Sequence, residues 1–131
     1  MQSLSNKHLY EYAVVRYVPR VEREEFINVG LVMMCKRRRW LRAQICCDEK
    51  RIAALWKDAD LETLRQQLQS FIDISKGVGD SPIASFEAHE RFRWLTAVRS
   101  ASIATSRPHP GLTTDLDSTF THLFSELVGD N

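Results

Sequence analysis

The chain has 131 residues, of which 44% are hydrophobic and 27% are charged. That length allows one domain with a real core, and the composition excludes a disordered chain. No apolar run approaches the roughly 20 residues that span a bilayer, and no apolar signal segment begins the sequence, so we expect a cytoplasmic location. We expect a loose arm over residues 1–9 and a single α+β domain over residues 10–129.

Charge is unevenly distributed along the sequence. The net charge is +1, but residues 1–57 carry 12 Lys and Arg against 6 Asp and Glu, whereas residues 58–131 carry 6 against 11. Arginine outnumbers lysine 13 to 5. Because a guanidinium group binds carboxylate and phosphate in a planar, bidentate manner, this composition fits an arginine-lined anion-binding surface; the alternative is that it reflects only the composition of the genome.

The three cysteines do not have the spacing of a metal or redox motif. They are Cys35, Cys46 and Cys47, and no Cys-x-x-Cys pair or Cys/His ligand set accompanies them. We therefore expect no metal and no cofactor. Cys46 and Cys47 are adjacent on a predicted strand, so they point to opposite faces. This favours small buried side chains in a reducing compartment, with a redox pair as the alternative.

The first predicted strand runs over Tyr10–Val18, where Tyr and Val recur with a period of two. Arg16 ends the face that begins with Tyr10 and Tyr12. An unpaired charge on an apolar face is unfavourable, so Arg16 either pairs with a carboxylate or binds an external anion. The charged connection after Pro19 supplies three possible carboxylates: Glu22, Glu24 and Glu25.

The second predicted strand, Phe26–Cys35, lacks polar alternation, which is typical of a central strand covered on both faces. Asn28 and Gly30 interrupt it and, by alternation, share the face that the helices cover. Gly30 indicates a bulge or a close approach by another chain segment. Asn28 either contacts a ligand or satisfies a loop.

A basic turn connects this strand to a third, Trp40–Cys47. In the hairpin that it closes, Cys35 pairs with Trp40 and Gly30 with Ile45. The basic residues near this turn are Lys36, Arg37, Arg38, Arg39 and Arg42, and Trp40 lies among them. A basic turn of this kind is commonly exposed to solvent and protects a sheet edge. The alternative is that the basic residues bind a nucleic-acid backbone while Trp40 stacks on a base.

Helical spacing follows the hairpin. Asp48 and Asp60 are predicted helix N-caps, Gly77 and Gly79 end the second helix, and Ser81-Pro82 offers a further helix start.

The remaining segments alternate between regular and irregular patterns. Glu90–Ser100 is predicted to be helical, Ser102–Thr105 to add a strand, and Ser106–Gly111 to form a rigid loop because of its two prolines. Thr114 with Asp117 resembles a capping box before a final amphipathic helix that ends at Gly129. We thus predict a three- to four-stranded antiparallel sheet with helices mainly on one face, and a C-terminal helix that closes the core.

Four segments resemble one family in the same order: Tyr12–Pro19, Glu24–Val32, Arg91–Ser100 and Pro108–Leu112. The chain is similar, over about residues 10–128, to the bacterial family known as domain of unknown function 3037. The resemblance implies no reaction and no cofactor. Genes of that family are associated with neighbours encoding HipA-like kinases, so the resemblance implies a protein partner, or a regulatory role, toward such a kinase.

A binding function is the first hypothesis, because no catalytic motif is present. In this hypothesis guanidinium and neutral donors from the early strands and the late helix form one anion-binding cradle on a protein-interaction module. The cradle residues are Arg16, Asn28, Arg93, Arg99, Ser100 and His109. The competing interpretation pairs Arg16, Arg93 and Arg99 internally with Glu22, Glu24 or Glu90.

Two alternatives belong to other functional classes. One is nucleic-acid binding through Lys36–Arg39, Trp40 and Arg42. The other is a small enzyme that acts on phosphorylated or nucleotide substrates through Arg99, Ser100 and His109. The four scattered histidines fit no hydrolytic triad or metal pattern, so we expect binding rather than catalysis.

Overall fold

The structure is a computed structural model and describes residues 6–97 and 102–129. The strands are β1 His8–Tyr17, β2 Ile27–Cys35, β3 Trp40–Ile45, β4 Ile103–Thr105 and β5 His109–Thr113. The helices are α1 Glu49–Leu55, α2 Leu61–Lys76, α3 Ala88–Leu95 and α4 Leu116–Leu127. Two short 3-10 helices cover Val21–Arg23 and Pro82–Ser85. None of the described helices is long and apolar enough to cross a membrane.

All five strands belong to one antiparallel sheet. Its order is β3-β2-β1, and β4 and β5 both pair with the remaining side of β1. The predicted α+β class is therefore confirmed, with one strand more than the three to four expected. β1 begins two residues before the predicted Tyr10, because His8 and Leu9 pair with Thr113 and Leu112 of β5.

Helices cover both faces of the sheet, and each face has its own core. The larger core packs α1, α2 and α3 against one face, with Phe92 and Ile52 fully buried. The smaller core packs Phe120 and Phe124 of α4 against Leu31 and Met33 of β2. The predicted arrangement of most helices on one face and a closing C-terminal helix is confirmed. β2 lacks polar alternation because both of its faces are buried.

The predicted β2–β3 register is confirmed, since Cys35 pairs with Trp40 and Gly30 with Ile45. The prediction that Asn28 and Gly30 share one face of the sheet was wrong. Val15 pairs with Gly30 while Arg16 pairs with Asn28, so Val29 is an extra residue in β2. This β-bulge reverses the alternation, and the Asn28 side chain reaches α4 on the face opposite to Gly30.

The predicted caps of the first two helices are confirmed. Asp48 accepts hydrogen bonds from the backbone N–H groups of Lys50 and Arg51, and Asp60 accepts one from that of Thr63. The bonds from the Thr63 hydroxyl and N–H groups lower the pKa of Asp60. The cap expected for α4 was wrong by one residue, because Asp115 accepts from the Ser118 N–H group.

The proline-rich loop expected over residues 106–111 is partly a strand. In the β1–β5 ladder Tyr12 pairs with His109 and Glu11 with Pro110. The Val14 carbonyl accepts from the Ser106 N–H group, and the Val14 N–H group donates to the Ser106 hydroxyl, so both groups point to the β4–β5 side. By alternation Glu11 points to β2, which leaves Pro110 facing away from β1. The missing N–H group of Pro110 therefore interrupts no ladder bond, which is why a proline is accommodated at this edge.

The close approach at Gly30 leads to a stability prediction. A Cβ atom at Gly30 would lie 2.5 Å from Ile45 Cδ1 and 2.7 Å from the Gln44 carbonyl oxygen. Because the backbone oxygen cannot move cheaply, we expect Gly30→Ala to lower the free energy of unfolding by about 1–3 kcal/mol in urea titrations.

Gly111→Ala is the matched control for this prediction. Its Cβ atom would meet the outer end of the Tyr10 ring, which is only half-buried and can rotate away. We expect the free energy of unfolding to fall less for Gly111→Ala than for Gly30→Ala. An equal fall for the two variants would contradict the role of the Gln44 backbone oxygen.

Candidate anion-binding site

The arginines of the predicted cradle do not meet in one recess. Arg16 lies on the face of β1 that α4 covers in part, whereas Arg93 belongs to α3 on the other side of the sheet. Arg93 donates from Nη1 to Oε1 of Glu11 at 2.9 Å and from Nη2 to the second oxygen of the same carboxylate. These bonds raise the pKa of Arg93. The predicted convergence of Arg16 and Arg93 was therefore wrong.

The other members of the predicted cradle contribute little to a shared site. Arg99 and Ser100 lie outside the described residues. His109 lies opposite Tyr12, with 5.3 Å between the two ring centroids. Tyr12 is four residues from Arg16 along β1, which corresponds to about 13 Å of extended strand. His109 therefore shares the face of Arg16 but not its immediate surroundings.

Arg16 and Asn28 do come together. They are directly opposite one another on β1 and β2, as a result of the bulge at Val29. The Arg16 guanidinium carbon lies 4.1 Å from the ring centroid of Phe26, a residue that remains 46% exposed. We call Arg16, Phe26 and Asn28 the Arg16 site. Stacking on an aromatic face holds the guanidinium plane in a fixed orientation.

The Arg16 site contains two buried polar atoms without hydrogen-bond partners. Asn28 Nδ2 donates to the backbone oxygen of Leu127 near the end of α4 at 3.0 Å, which fixes the orientation of the amide. Asn28 Oδ1 then has no donor, and Arg16 Nε has no acceptor. Buried polar groups of this kind are uncommon in folded proteins and each calls for an explanation.

The internal pairing expected for Arg16 was not found. Within residues 6–97 and 102–129, Arg16 makes no ion pair. Two of the three candidate carboxylates are used locally: Glu22 accepts from Arg20 at 2.7 Å, and Glu25 lies 2.8 Å from Arg23. Arg16 is half-buried, so part of its surface remains open to solvent. Its charge is available to an external anion.

Some of these contacts had no clear signal in the sequence. The alternation pattern does not indicate the contact between Arg16 and Phe26. The two residues do lie at the same end of a hairpin, because Arg16 is near the end of β1 and Phe26 is just before β2. The Leu127 acceptor is a backbone group, which no residue pattern identifies. Glu11 and Arg93 are separated by 82 residues, so no local pattern in the sequence pairs them.

The basic turn is solvated, and its aromatic neighbour is half-buried against α4. The side chains of Lys36, Arg37, Arg38 and Arg39 are exposed. Trp40 packs edge-on against Phe120, with ring centroids 6.5 Å apart. Arg42 donates to Asp117 at 3.0 Å and lies over the same phenylalanine ring. Trp40 and Arg42 thus hold α4 on the sheet, and their role as nucleic-acid contacts stays a prediction.

The cysteines occupy core positions rather than a shared redox site. Cys35 is buried, and Cys46 and Cys47 are half-buried and pack in the two opposite cores. Burial raises the pKa of the Cys47 thiol, which reduces its reactivity. Among the residues that the structure describes, no group of three His, Cys, Asp or Glu side chains could hold a metal ion.

Arg91 has a structural role inside the arginine segment. Its Nη1 donates to the Phe86 carbonyl at 2.6 Å, and its Nη2 donates to the Ser75 carbonyl in the last turn of α2 at 3.3 Å. A cation is favourable at a helix C-terminus. Arg91 therefore ties α3 to the end of α2.

Comparison with sequence models of known families gives a match over residues 12–128, to the family described as protein of unknown function (DUF3037). The chain belongs to this family. No curated protein and no solved structure matched the chain. The matched DUF3037 region includes the Arg16 site, the basic turn and all of α4. Family membership supplies no activity, so the function of this DUF3037 chain has to be argued from its own residues.

The two neighbouring arginines of α3 give a stability prediction. Arg91→Ala leaves two carbonyl groups without their charged donor, so we expect the free energy of unfolding to fall by about 1.5–3 kcal/mol. Arg93→Ala removes an exposed ion pair and should lower the free energy of unfolding by no more than about 1 kcal/mol. Chemical denaturation followed by circular dichroism measures both, and a larger effect at Arg93 would show that the structural role is assigned to the wrong residue.

Proposed function

We propose that this chain is a protein-interaction module that binds an acidic group of a partner at the Arg16 site. The observation that carries the proposal is the half-buried Arg16 guanidinium, which makes no ion pair with a described residue and stacks on Phe26. An isolated charge in such surroundings is unfavourable unless an oppositely charged group compensates it. A ligand carboxylate or phosphate supplies that compensation.

The polar atoms of the site define the chemistry of the ligand. Arg16 presents a planar set of donors, which matches the two oxygens of a carboxylate or two oxygens of a phosphate. Asn28 Oδ1 and Arg16 Nε are buried, so a ligand reaches only the part of Arg16 that remains open to solvent. An acidic side chain on a peptide brings an aliphatic stem to the exposed Phe26 ring together with its carboxylate, and a free inorganic anion lacks that stem. A peptide therefore fits better than a free inorganic anion.

The surroundings of the site suit a peptide. Phe26 is exposed beside the guanidinium and gives an apolar surface for the aliphatic part of the acidic side chain. In the charged segment that connects β1 and β2, Glu22 and Glu25 pair with Arg20 and Arg23 and not with Arg16. A HipA-like kinase, the partner implied by the family resemblance, is the first protein to examine as the source of such a peptide.

Binding at the Arg16 site can be measured by titrating the isotope-labelled protein and following backbone amide shifts. The probes are N-acetyl-glutamate methylamide, which carries a carboxylate and amide N–H groups, and inorganic phosphate. We expect shifts around Arg16 and Asn28, and a tighter constant for the glutamate compound. Arg16→Gln should weaken binding at least about ten-fold, because it removes a charge-assisted bidentate contact.

Arg93→Gln is the matched control for charge, since it removes an arginine from the opposite side of the sheet. It should leave the binding constant unchanged. An Arg16→Gln protein that binds as tightly as the wild type, or an absence of shifts at this site with both probes, would remove the proposal. Copurification with the HipA-like kinase, repeated with Arg16→Gln, then tests the partner separately.

A second candidate function is polyanion binding by the basic turn. The observation that favours it is that Lys36, Arg37, Arg38 and Arg39 are exposed and make no ion pair with the described residues. A depression of about 360 Å³ beside the turn is lined in part by Lys36, Arg39 and His89. Because Trp40 is packed against α4, this function rests on charge without base stacking.

Nucleic-acid binding by the turn has a salt signature. Each phosphate contact contributes about −0.9 to the slope of log affinity against log salt concentration on duplex DNA. We expect the double variant Arg37→Glu/Arg38→Glu to bind a random duplex more weakly at low salt. The slope of log affinity against log salt concentration should also fall in magnitude by about 2. Lys50→Glu with Lys57→Glu changes the net charge equally and serves as the control. An equal effect of both double variants would indicate a general charge effect and exclude a site at the turn.

A further inference from the structure

The two edges of the sheet differ in how they are protected. One edge consists of the short strands β4 and β5, where Pro110 faces outward and lacks a hydrogen-bond donor. The other edge is β3, which has six residues and no proline. Proteins commonly protect exposed edges with proline, short strands or bulges, because unpaired backbone groups can bind another strand. β3 has none of these three features.

The ladder pattern identifies which backbone groups of β3 are free. Cys46 donates its N–H to the Val29 carbonyl of β2 at 2.7 Å. Because every second residue of a strand faces the same neighbour, the backbone N–H and C=O groups of Gln44 and Arg42 also point to β2. The N–H and C=O groups of Leu41, Ala43 and Ile45 then point away from the sheet. Within the described part of the chain no hydrogen bond from these groups is found. The edge thus offers three donors and three acceptors to another strand.

We propose that two copies of this chain pair through β3, in antiparallel orientation around a two-fold axis at Ala43. The register that places Ala43 opposite Ala43 of the second copy also places Leu41 opposite Ile45, and Arg42 opposite Gln44. Apolar residues meet apolar residues on the α2 face, and arginine meets a neutral amide on the α4 face. A shift of the axis to Arg42 would place two arginines directly opposite each other, which is unfavourable.

The surface on both sides of β3 matches this register. On the α2 face a depression of about 300 Å³ is lined in part by Ile45, Leu68 and Ile72, with Arg65 and Gln69 also in its wall, and its apolar part suits Leu41 of the second copy. On the α4 face a depression of about 400 Å³ is lined in part by Gln44, Arg42 and Thr121, beside Phe124, and its polar part suits the polar pair. Because the strand is self-complementary on both faces, a second copy fits this edge better than an unrelated segment.

Sedimentation equilibrium over a concentration series from micromolar to millimolar tests the pairing. We expect a monomer–dimer equilibrium for the wild type. Ala43→Pro removes an N–H group that β2 does not use, so the fold should be retained while the dimer dissociation constant rises by at least about ten-fold. A wild type that stays monomeric throughout the series would overturn the proposal, as would an Ala43→Pro protein that dimerises like the wild type.

Cysteine cross-linking gives a second test that does not depend on the proline variant. Under mild oxidation Ala43→Cys should form a disulfide between two copies, because the opposed Cα atoms of such a pair lie about 5.5 Å apart. Gln44→Cys is the control, since the two introduced thiols would lie two positions apart. Mass spectrometry of the linked peptides distinguishes both from the native cysteines. Equal linkage through position 44, or none through position 43, would contradict the register.

Discussion

The site and the attachment of α4 both depend on one extra residue in β2. Without the bulge at Val29, Asn28 would point to the larger core, where an amide would have to be satisfied among apolar side chains. With it, Asn28 faces α4 and donates to Leu127, and its remaining acceptor lies opposite Arg16. The larger core retains Val29 as a fully buried residue. One inserted residue therefore keeps the core apolar and creates a polar pair on the other face.

The arginines divide into those with partners and those without. Arg91 binds two carbonyl groups, and Arg93 and Arg42 bind carboxylates of distant elements, so these three hold helices to the sheet or to one another. Arg20 and Arg23 pair with glutamates two residues away. Composition cannot distinguish these roles, because every guanidinium has the same donors. What singles out Arg16 is an aromatic neighbour together with the absence of an ion pair to any described residue.

Local patterns predicted what depends on local physics. The strands β1, β2 and β3, their hairpin register and two aspartate caps follow from alternation, turn composition and side-chain acceptors near a helix start. The bulge did not follow, because a valine fits either face of a strand covered on both sides. The two prolines predict a loop where β5 forms, because proline has no N–H group for a ladder; Pro110 faces outward, so no ladder bond is lost. The Arg93–Glu11 pair joins residues 82 positions apart, and nothing local selects that carboxylate over nearer ones.

The edge pairing and the Arg16 site are compatible in space, because β1 and β3 are separated by β2. A two-fold axis at Ala43 would produce a continuous sheet in which the α4 helices of both copies lie on the same face, since directly opposed residues share a face. The two copies of β1 would then be five strand spacings apart, or about 24 Å. Both Arg16 sites would open on one side of the dimer. A partner with two acidic segments could occupy both at once, so a weak single contact would gain affinity through effective concentration rather than through additional contacts.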